Sequence, residues 1–143
     1  MPYEYLEDSV TSDVTFRAWG RDLDELFAAA ADATLNVMVA ALDSVAPAVT
    51  VTAAVDADAL DLLLMRFLDE LIFYKDAQAL LLRAASVQVE RRDHTFHAEG
   101  QLRGEKLDPS KHPLVADVKA VTLHGLRVEQ TTSGWEAQVT LDV

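Results

Sequence analysis

The chain has 143 residues, half of them hydrophobic, with 24 acidic against 12 basic residues and a formal net charge of −12. This composition supports a packed core and excludes a disordered chain. Because an acidic surface repels phosphate backbones and anionic membranes, we expect no direct nucleic acid binding and a basic partner instead. The absence of cysteine excludes disulfides, thiol catalysis and Cys-based metal sites.

The first half of the chain predicts two strands that alternate with two amphipathic helices. Residues 14–18 and 49–55 alternate between hydrophobic and polar side chains, which predicts half-buried strands. Asp22 is a predicted N-cap, and the apolar residues between 23 and 41 recur at helical spacing. The same spacing runs through residues 60–72, which predicts the second helix.

The second half predicts strands joined mostly by short turns. They include residues 87–89, 96–102, 118–123, 126–129 and 135–143, with a loop containing two prolines at 105–114. Because several strands follow one another directly, at least part of the sheet is antiparallel. We therefore predict an α+β fold with two amphipathic helices packed on one face of a largely antiparallel mixed sheet, as a single domain over residues 1–143.

The sequence shows no sign of membrane insertion or export. Residues 1–5 have neither the basic nor the apolar segment of a signal peptide. No uncharged stretch approaches the roughly 20 residues that a membrane-spanning helix needs. We therefore expect no membrane association and a cytoplasmic location.

Two acidic residues lie at the ends of the first and last predicted strands. Asp13 shares parity with the outward-facing Thr15 and Arg17, and Asp142 follows the alternation of the C-terminal strand. The α-carboxylate at Val143 adds a further pair of oxygens. If the two strands are neighbours, these carboxylates form a cluster of hard oxygen ligands of the kind that Ca²⁺ or Mg²⁺ prefers. The alternative is that they are ordinary solvated acids.

The remaining candidate side chains carry weaker signals. Lys119 interrupts an apolar strand, where it either pairs with a carboxylate or protects a sheet edge. His94 and His97 fall in a predicted hairpin and point to opposite sides, so we expect both to be solvent-exposed and not to share a metal. His112 is expected in a loop and His124 at the end of a strand.

Four sequence blocks, in order, resemble the archease family over nearly the whole chain. They are Tyr3–Leu6 with Thr11–Val14 and Arg17–Gly20, then Leu64–Phe73, then Lys111–Pro113 with Val118–His124, and finally Leu141–Val143. Two differences stand out. Val10 takes the place of a histidine that many members carry, and no block is recognised between Gln78 and Asp93.

The resemblance implies a non-enzymatic role. Archeases assist RtcB, a GTP- and Mn²⁺-dependent ligase that joins RNA ends in tRNA splicing and RNA repair, by promoting ligase guanylylation and multiple turnover. The resemblance assigns the metal-binding acids of the family to Asp13, Asp142 and the carboxylate of Val143, and its functional lysine to Lys119. It therefore predicts an RtcB-type ligase as partner and a divalent metal as cofactor, with Ca²⁺ expected and Mg²⁺ or Mn²⁺ as alternatives.

Two other functions stay open from the sequence. One is a general chaperone-like adaptor without specificity for a ligase. The other is a metal-dependent hydrolase that uses the same carboxylates, which is disfavoured because no general base or nucleophile pairs obviously with them.

Overall fold

The computed structural model describes residues 2–6 and 13–143. Within them lie two α-helices and seven β-strands. In chain order they are β1 (Tyr3–Leu6), β2 (Asp13–Gly20), α1 (Leu23–Met38), β3 (Val49–Ala57), α2 (Leu60–Gln78), β4 (Leu80–Arg92), β5 (Thr95–Lys106), β6 (Ala120–Gln130) and β7 (Trp135–Asp142). The α+β class predicted from the sequence is confirmed.

The strands form two antiparallel sheets, where the sequence had suggested one mixed sheet. The first sheet has the order β1-β2-β7-β6 and the second the order β3-β5-β4. The second sheet arises because β4 begins at Leu80, directly after α2, and forms a long hairpin with β5. Asp93 closes that hairpin with a φ of 53°, a left-handed conformation that Asp tolerates better than most residues.

The two helices pack against strands of both sheets. The side chain of Asp22 caps α1 by accepting a hydrogen bond from the Glu25 N–H at 2.8 Å, as the sequence predicts. α1 packs mainly on β2 and β4, and α2 mainly on β3 and β6. The rings of Phe27 and Phe67 meet between the helices at 5.7 Å, inside a continuous apolar core. Neither helix in the described part of the chain is long and apolar enough to cross a membrane.

The predicted strands 118–123 and 126–129 are one strand, β6. Its pairing with β7 is irregular between Thr122 and Arg127, where Gly125 adopts a φ of 63°. The prediction that Lys119 lies within a strand is wrong, because it is the last residue of the loop before β6, residues 107–119. This loop contacts the end of α1, where the Val115 N–H donates to the Met38 carbonyl at 2.9 Å.

Candidate functional site

Asp13 and Asp142 are directly opposite each other on the neighbouring strands β2 and β7. Residues in this position have Cβ atoms about 4.5–5.5 Å apart, with side chains on the same face of the sheet. Both residues are half-buried. Since like charges in directly opposed positions destabilise a sheet, this pair favours a neighbouring cation.

A buried pair of threonines adjoins the two acids on the same face. Thr15 and Thr140 are the next opposed pair with side chains on that face, and their hydroxyl oxygens are 2.8 Å apart. The expectation that Thr15 faces solvent is wrong, because both threonines are buried. The two carboxylates therefore lie next to a buried, hydrogen-bonded threonine pair, and not on a fully exposed polar face.

Lys119 lies at the same corner of the sheet. Its backbone N–H donates to the backbone carbonyl of Asp142 at 2.8 Å. Ala120 is opposite Asp142 in the β6–β7 register, so Lys119 and Ala120 both lie beside Asp142. The Lys119 side chain is exposed and Val143 is half-buried.

A buried lysine of α2 anchors the segment that leads to Lys119. Lys75 donates to the carbonyl oxygen of Val118 and to the carboxylate of Asp76, both at 2.7 Å, and also to the carboxylate of Asp117. Burial alone would lower the pKa of Lys75, but the hydrogen bonds to Asp117 and Asp76 outweigh it and raise that pKa above its ordinary value. Lys75 therefore stays charged and ties the loop to the helix.

A second polar cluster holds the beginning of the same loop. The Nδ1 atom of the buried His112 accepts the N–H of Asp108 at 2.9 Å, so its Nε2–H donates to Glu105 Oε1 at 2.8 Å. Glu105 also accepts from the Ala46 N–H at 3.0 Å and from Lys111 at 2.6 Å. These bonds, led by the Ala46 N–H, lower the pKa of Glu105 to about 2.

One of the four histidines, His97, differs from expectation in burial. His97 is buried, and its Nδ1 lies 2.8 Å from Asp56 Oδ1 on the strand opposite, so the prediction that it is exposed is wrong. His94, in the hairpin turn, is exposed as predicted. His112 lies in a loop as predicted but is buried. His124 is exposed and lies within β6, so the prediction that it ends a strand is wrong.

The donor set at the corner of the first sheet suits a hard divalent cation but is small. Within residues 2–6 and 13–143, no group of three or more His, Asp or Glu side chains is arranged to hold a metal. The predicted site has two side-chain carboxylates, from Asp13 and Asp142, supplemented by the chain-end carboxylate. Because Ca²⁺ takes six to eight oxygen ligands, water or a partner must supply the rest.

The residues that hold the loop before β6 were not predicted from the sequence. Lys75 follows Leu71 and Ile72 on the buried face of α2. A lysine on an otherwise apolar helix face indicates a buried charge that needs a partner, and this was the one sign of its role in the sequence. The partners Asp117 and Val118 lie far along the chain, so no local pattern connects them to Lys75.

The model of the Archease protein family matches residues 3–143. The chain belongs to the archease family. It is 34% identical to the Protein archease of Pyrococcus furiosus over 134 residues, covering 93% of this chain and 94% of that protein. It is 32% identical to the Protein archease of Methanopyrus kandleri over 143 residues, covering 100% of both. The names of these two relatives state no enzymatic activity.

Solved archease structures share the fold. The solution structure of Methanobacterium thermoautotrophicum protein 1598 superimposes with a TM-score of 0.85 at 31% identity and covers 99% of each chain. The crystal structure of a Thermotoga maritima archease, described as a possible chaperone, has a TM-score of 0.60 at 12% identity and covers 98% of this chain and 99% of that one. At that identity the second likeness concerns the fold alone.

Proposed function

We propose that this archease is a non-catalytic activator of an RtcB-type RNA ligase in the cytoplasm, promoting ligase guanylylation and multiple turnover in RNA end joining such as tRNA splicing. Membership of the family supports the proposal. The observation that carries it is the direct opposition of Asp13 and Asp142, with the N–H of Lys119 bound to the Asp142 carbonyl. Residues that the family resemblance selects from both ends of the chain are thus neighbours in space.

In this proposal Asp13, Asp142 and the α-carboxylate of Val143 hold a divalent cation, Ca²⁺ in the first instance and Mg²⁺ or Mn²⁺ as alternatives. The repulsion between two opposed carboxylates supports a cation there. A bound cation supplies local positive charge and coordination positions for oxygen atoms of a partner. The register sets both carboxylates on the same side of the sheet as the buried threonine pair.

Lys119 contributes an exposed positive charge next to the acidic corner, by which we mean Asp13, Asp142 and the carboxylate of Val143. Its backbone is held by Asp142 on one side and by the Lys75 contact to Val118 on the other, while its side chain is exposed. An exposed ammonium on a fixed backbone is suited to a charge-assisted hydrogen bond with a carboxylate or phosphate. We propose that it contacts an acidic group of the ligase site.

The experiment is a multiple-turnover ligation assay with the cognate ligase and an RNA substrate. Asp13→Asn and Asp142→Asn keep the size of the side chains and remove their charge, so we expect each to lose most of the stimulation. Asp58→Asn is the matched control, because Asp58 is exposed and lies outside the corner, and it should stimulate like the unaltered protein. Equal stimulation by all three variants would exclude the acidic corner as the working part.

Calorimetric titration with Ca²⁺ and with Mn²⁺ separates the metal site from the ligase activity. Loss of cation binding in Asp13→Asn with unchanged stimulation would leave the ligase role and reject the metal role. If the unaltered protein fails to stimulate the ligase, the proposed function is wrong. Suppressed aggregation of unrelated proteins would then favour the chaperone-like role suggested for the Thermotoga relative, and chelator-sensitive phosphodiester hydrolysis would favour a hydrolase.

A further inference from the structure

Three of the four sheet edges in the described part of the chain are protected against pairing with another chain. The edge strand β1 has only four residues. The edge strand β4 has an irregularity between Ala84 and Ser86, and its Val89 N–H donates to the Asp24 side chain at 2.8 Å. The edge strand β6 is irregular around Gly125. Short strands, bulges and covered backbone groups are the usual means by which proteins keep edges from pairing.

The fourth edge, strand β3, has none of these protections over most of its length. Its nine residues pair with β5 in an unbroken register. From Val49 to Val55 it contains no charged residue and no proline, and valine and threonine predominate. Uncharged β-branched strands of this kind pair readily with another strand when their edge is free.

The hydrogen-bond pattern identifies the backbone groups that β3 presents outward. Leu107 and Ala79 continue the β5–β4 register, and the Leu107 N–H donates to the Ala79 carbonyl. Backbone groups alternate in direction along an antiparallel strand, so the odd-numbered residues of β5 bond to β4 and the even-numbered residues bond to β3. In the β3–β5 register, even residues of β5 are opposite odd residues of β3. The N–H and C=O groups of Thr50, Thr52 and Ala54 therefore point away from the sheet.

These outward groups have no partner among the described residues. No hydrogen bond to the backbone of Thr50, Thr52 or Ala54 occurs on that side, and their side chains are exposed. The next outward carbonyl, that of Asp56, is taken by the guanidinium of Arg66, which ends the free stretch. These three alternate residues thus offer three donors and three acceptors to one incoming strand.

We propose that β3 pairs antiparallel with β3 of a second copy of this chain, about a two-fold axis at Thr52. This axis makes Thr52 its own partner, with Thr50 opposite Ala54 and Asp56 opposite Ala48. Because Thr50, Thr52 and Ala54 are the residues with outward backbone groups, each bonds to an outward residue of the other copy. The two three-stranded sheets then become one sheet of six strands.

The charge distribution favours a second copy over a basic strand of another protein. In the two-fold register no charged residue of one copy is opposite a charged residue of the other. A cationic strand would find no acidic side chain to pair with along residues 49–55 of β3, because Asp56 is its first charged residue. Each copy nevertheless carries a net charge of −12, so long-range repulsion opposes the dimer. The screening length falls from ~10 Å at 0.1 M salt to ~3 Å at 1 M, so we expect dimerisation to strengthen with salt.

Sedimentation velocity over a range of protein concentrations, at low and high salt, tests the dimer. The unaltered protein should shift from the mass of one chain, 15.7 kDa, towards twice that mass as concentration and salt increase. Thr52→Pro removes an outward N–H and leaves the bonds to β5 intact, since proline is tolerated at an edge. Two hydrogen bonds are lost per dimer, so its dissociation constant should rise roughly tenfold to a hundredfold. Thr52→Ala keeps the N–H and should dimerise like the unaltered protein.

A pair of charge variants tests the axis and does not depend on tolerance of proline. Thr52→Lys and Thr52→Asp each set like charges face to face at the axis, so each variant alone should be monomeric. An equimolar mixture should form a heterodimer that weakens with salt. An unaltered protein that is monomeric under all conditions overturns the proposal, as does a dimer that persists in Thr52→Lys alone or a mixture that remains monomeric.

Discussion

Replacing Lys75 by methionine tests how the loop before β6 is held. Methionine has a similar length but cannot donate the hydrogen bonds to Val118, Asp76 and Asp117. Removing one partner of a buried ion pair costs about 3–5 kcal/mol when the remaining charge stays buried. Here the Asp76 and Asp117 side chains are 59% and 66% exposed, so water solvates them once the lysine is gone.

The cost of Lys75→Met therefore comes mainly from one carbonyl. Val118 is fully buried, and a buried acceptor without a partner costs about 1–3 kcal/mol. We expect the free energy of unfolding to fall by that amount. By contrast, Asp117→Asn should cost less than about 1 kcal/mol, because it removes an exposed member of a surface ion pair.

Urea unfolding followed by the fluorescence of Trp19 and Trp135 measures both variants. The midpoint should drop in Lys75→Met with an unchanged slope, since the same surface is exposed on unfolding. A loss equal to that of Asp117→Asn would show that the Val118 carbonyl is not the important acceptor. A loss above about 4 kcal/mol would show that the carboxylates remain desolvated, contrary to their exposure.

Two further predictions concern the threonine pair and the Glu105 cluster. Thr15→Val and Thr140→Val should each lower the free energy of unfolding by about 1–3 kcal/mol, because each leaves one buried hydroxyl without its partner. The double variant should be close to neutral, and additive losses in urea unfolding would contradict this. The pKa of Glu105 falls from 4.5 to about 2 on folding, so its contribution to stability is complete above pH 4.5 and is lost as the pH falls towards 2. Glu105→Gln should reduce the acid dependence of the urea midpoint in that window, and pH profiles of equal steepness would refute the assignment.

Features that depend on residues close together in the chain were predicted from the sequence, and features that depend on contacts between distant segments were not. The cap at Asp22 and the buried faces of α1 and α2 were predictable, since they depend on residues within a few positions of each other. The division into two sheets was not, because it depends on β5 pairing with both β3 and β4. The burial of His97 was not predictable either, because His97 lies on β5, which is central in the second sheet only once β3 and β4 have paired with it.

By itself, the sequence determined the α+β class, the positions of most elements and the choice of Asp13, Asp142, Val143 and Lys119 as candidate residues, because hydrophobic periodicity and family blocks are read directly along the chain. Only the tertiary structure decided that β2 and β7 are neighbours in the register that opposes Asp13 and Asp142. It also decided that β3 is left as an unprotected edge. Strand pairing is a contact between segments far apart in the chain, and local patterns limit it without selecting one arrangement.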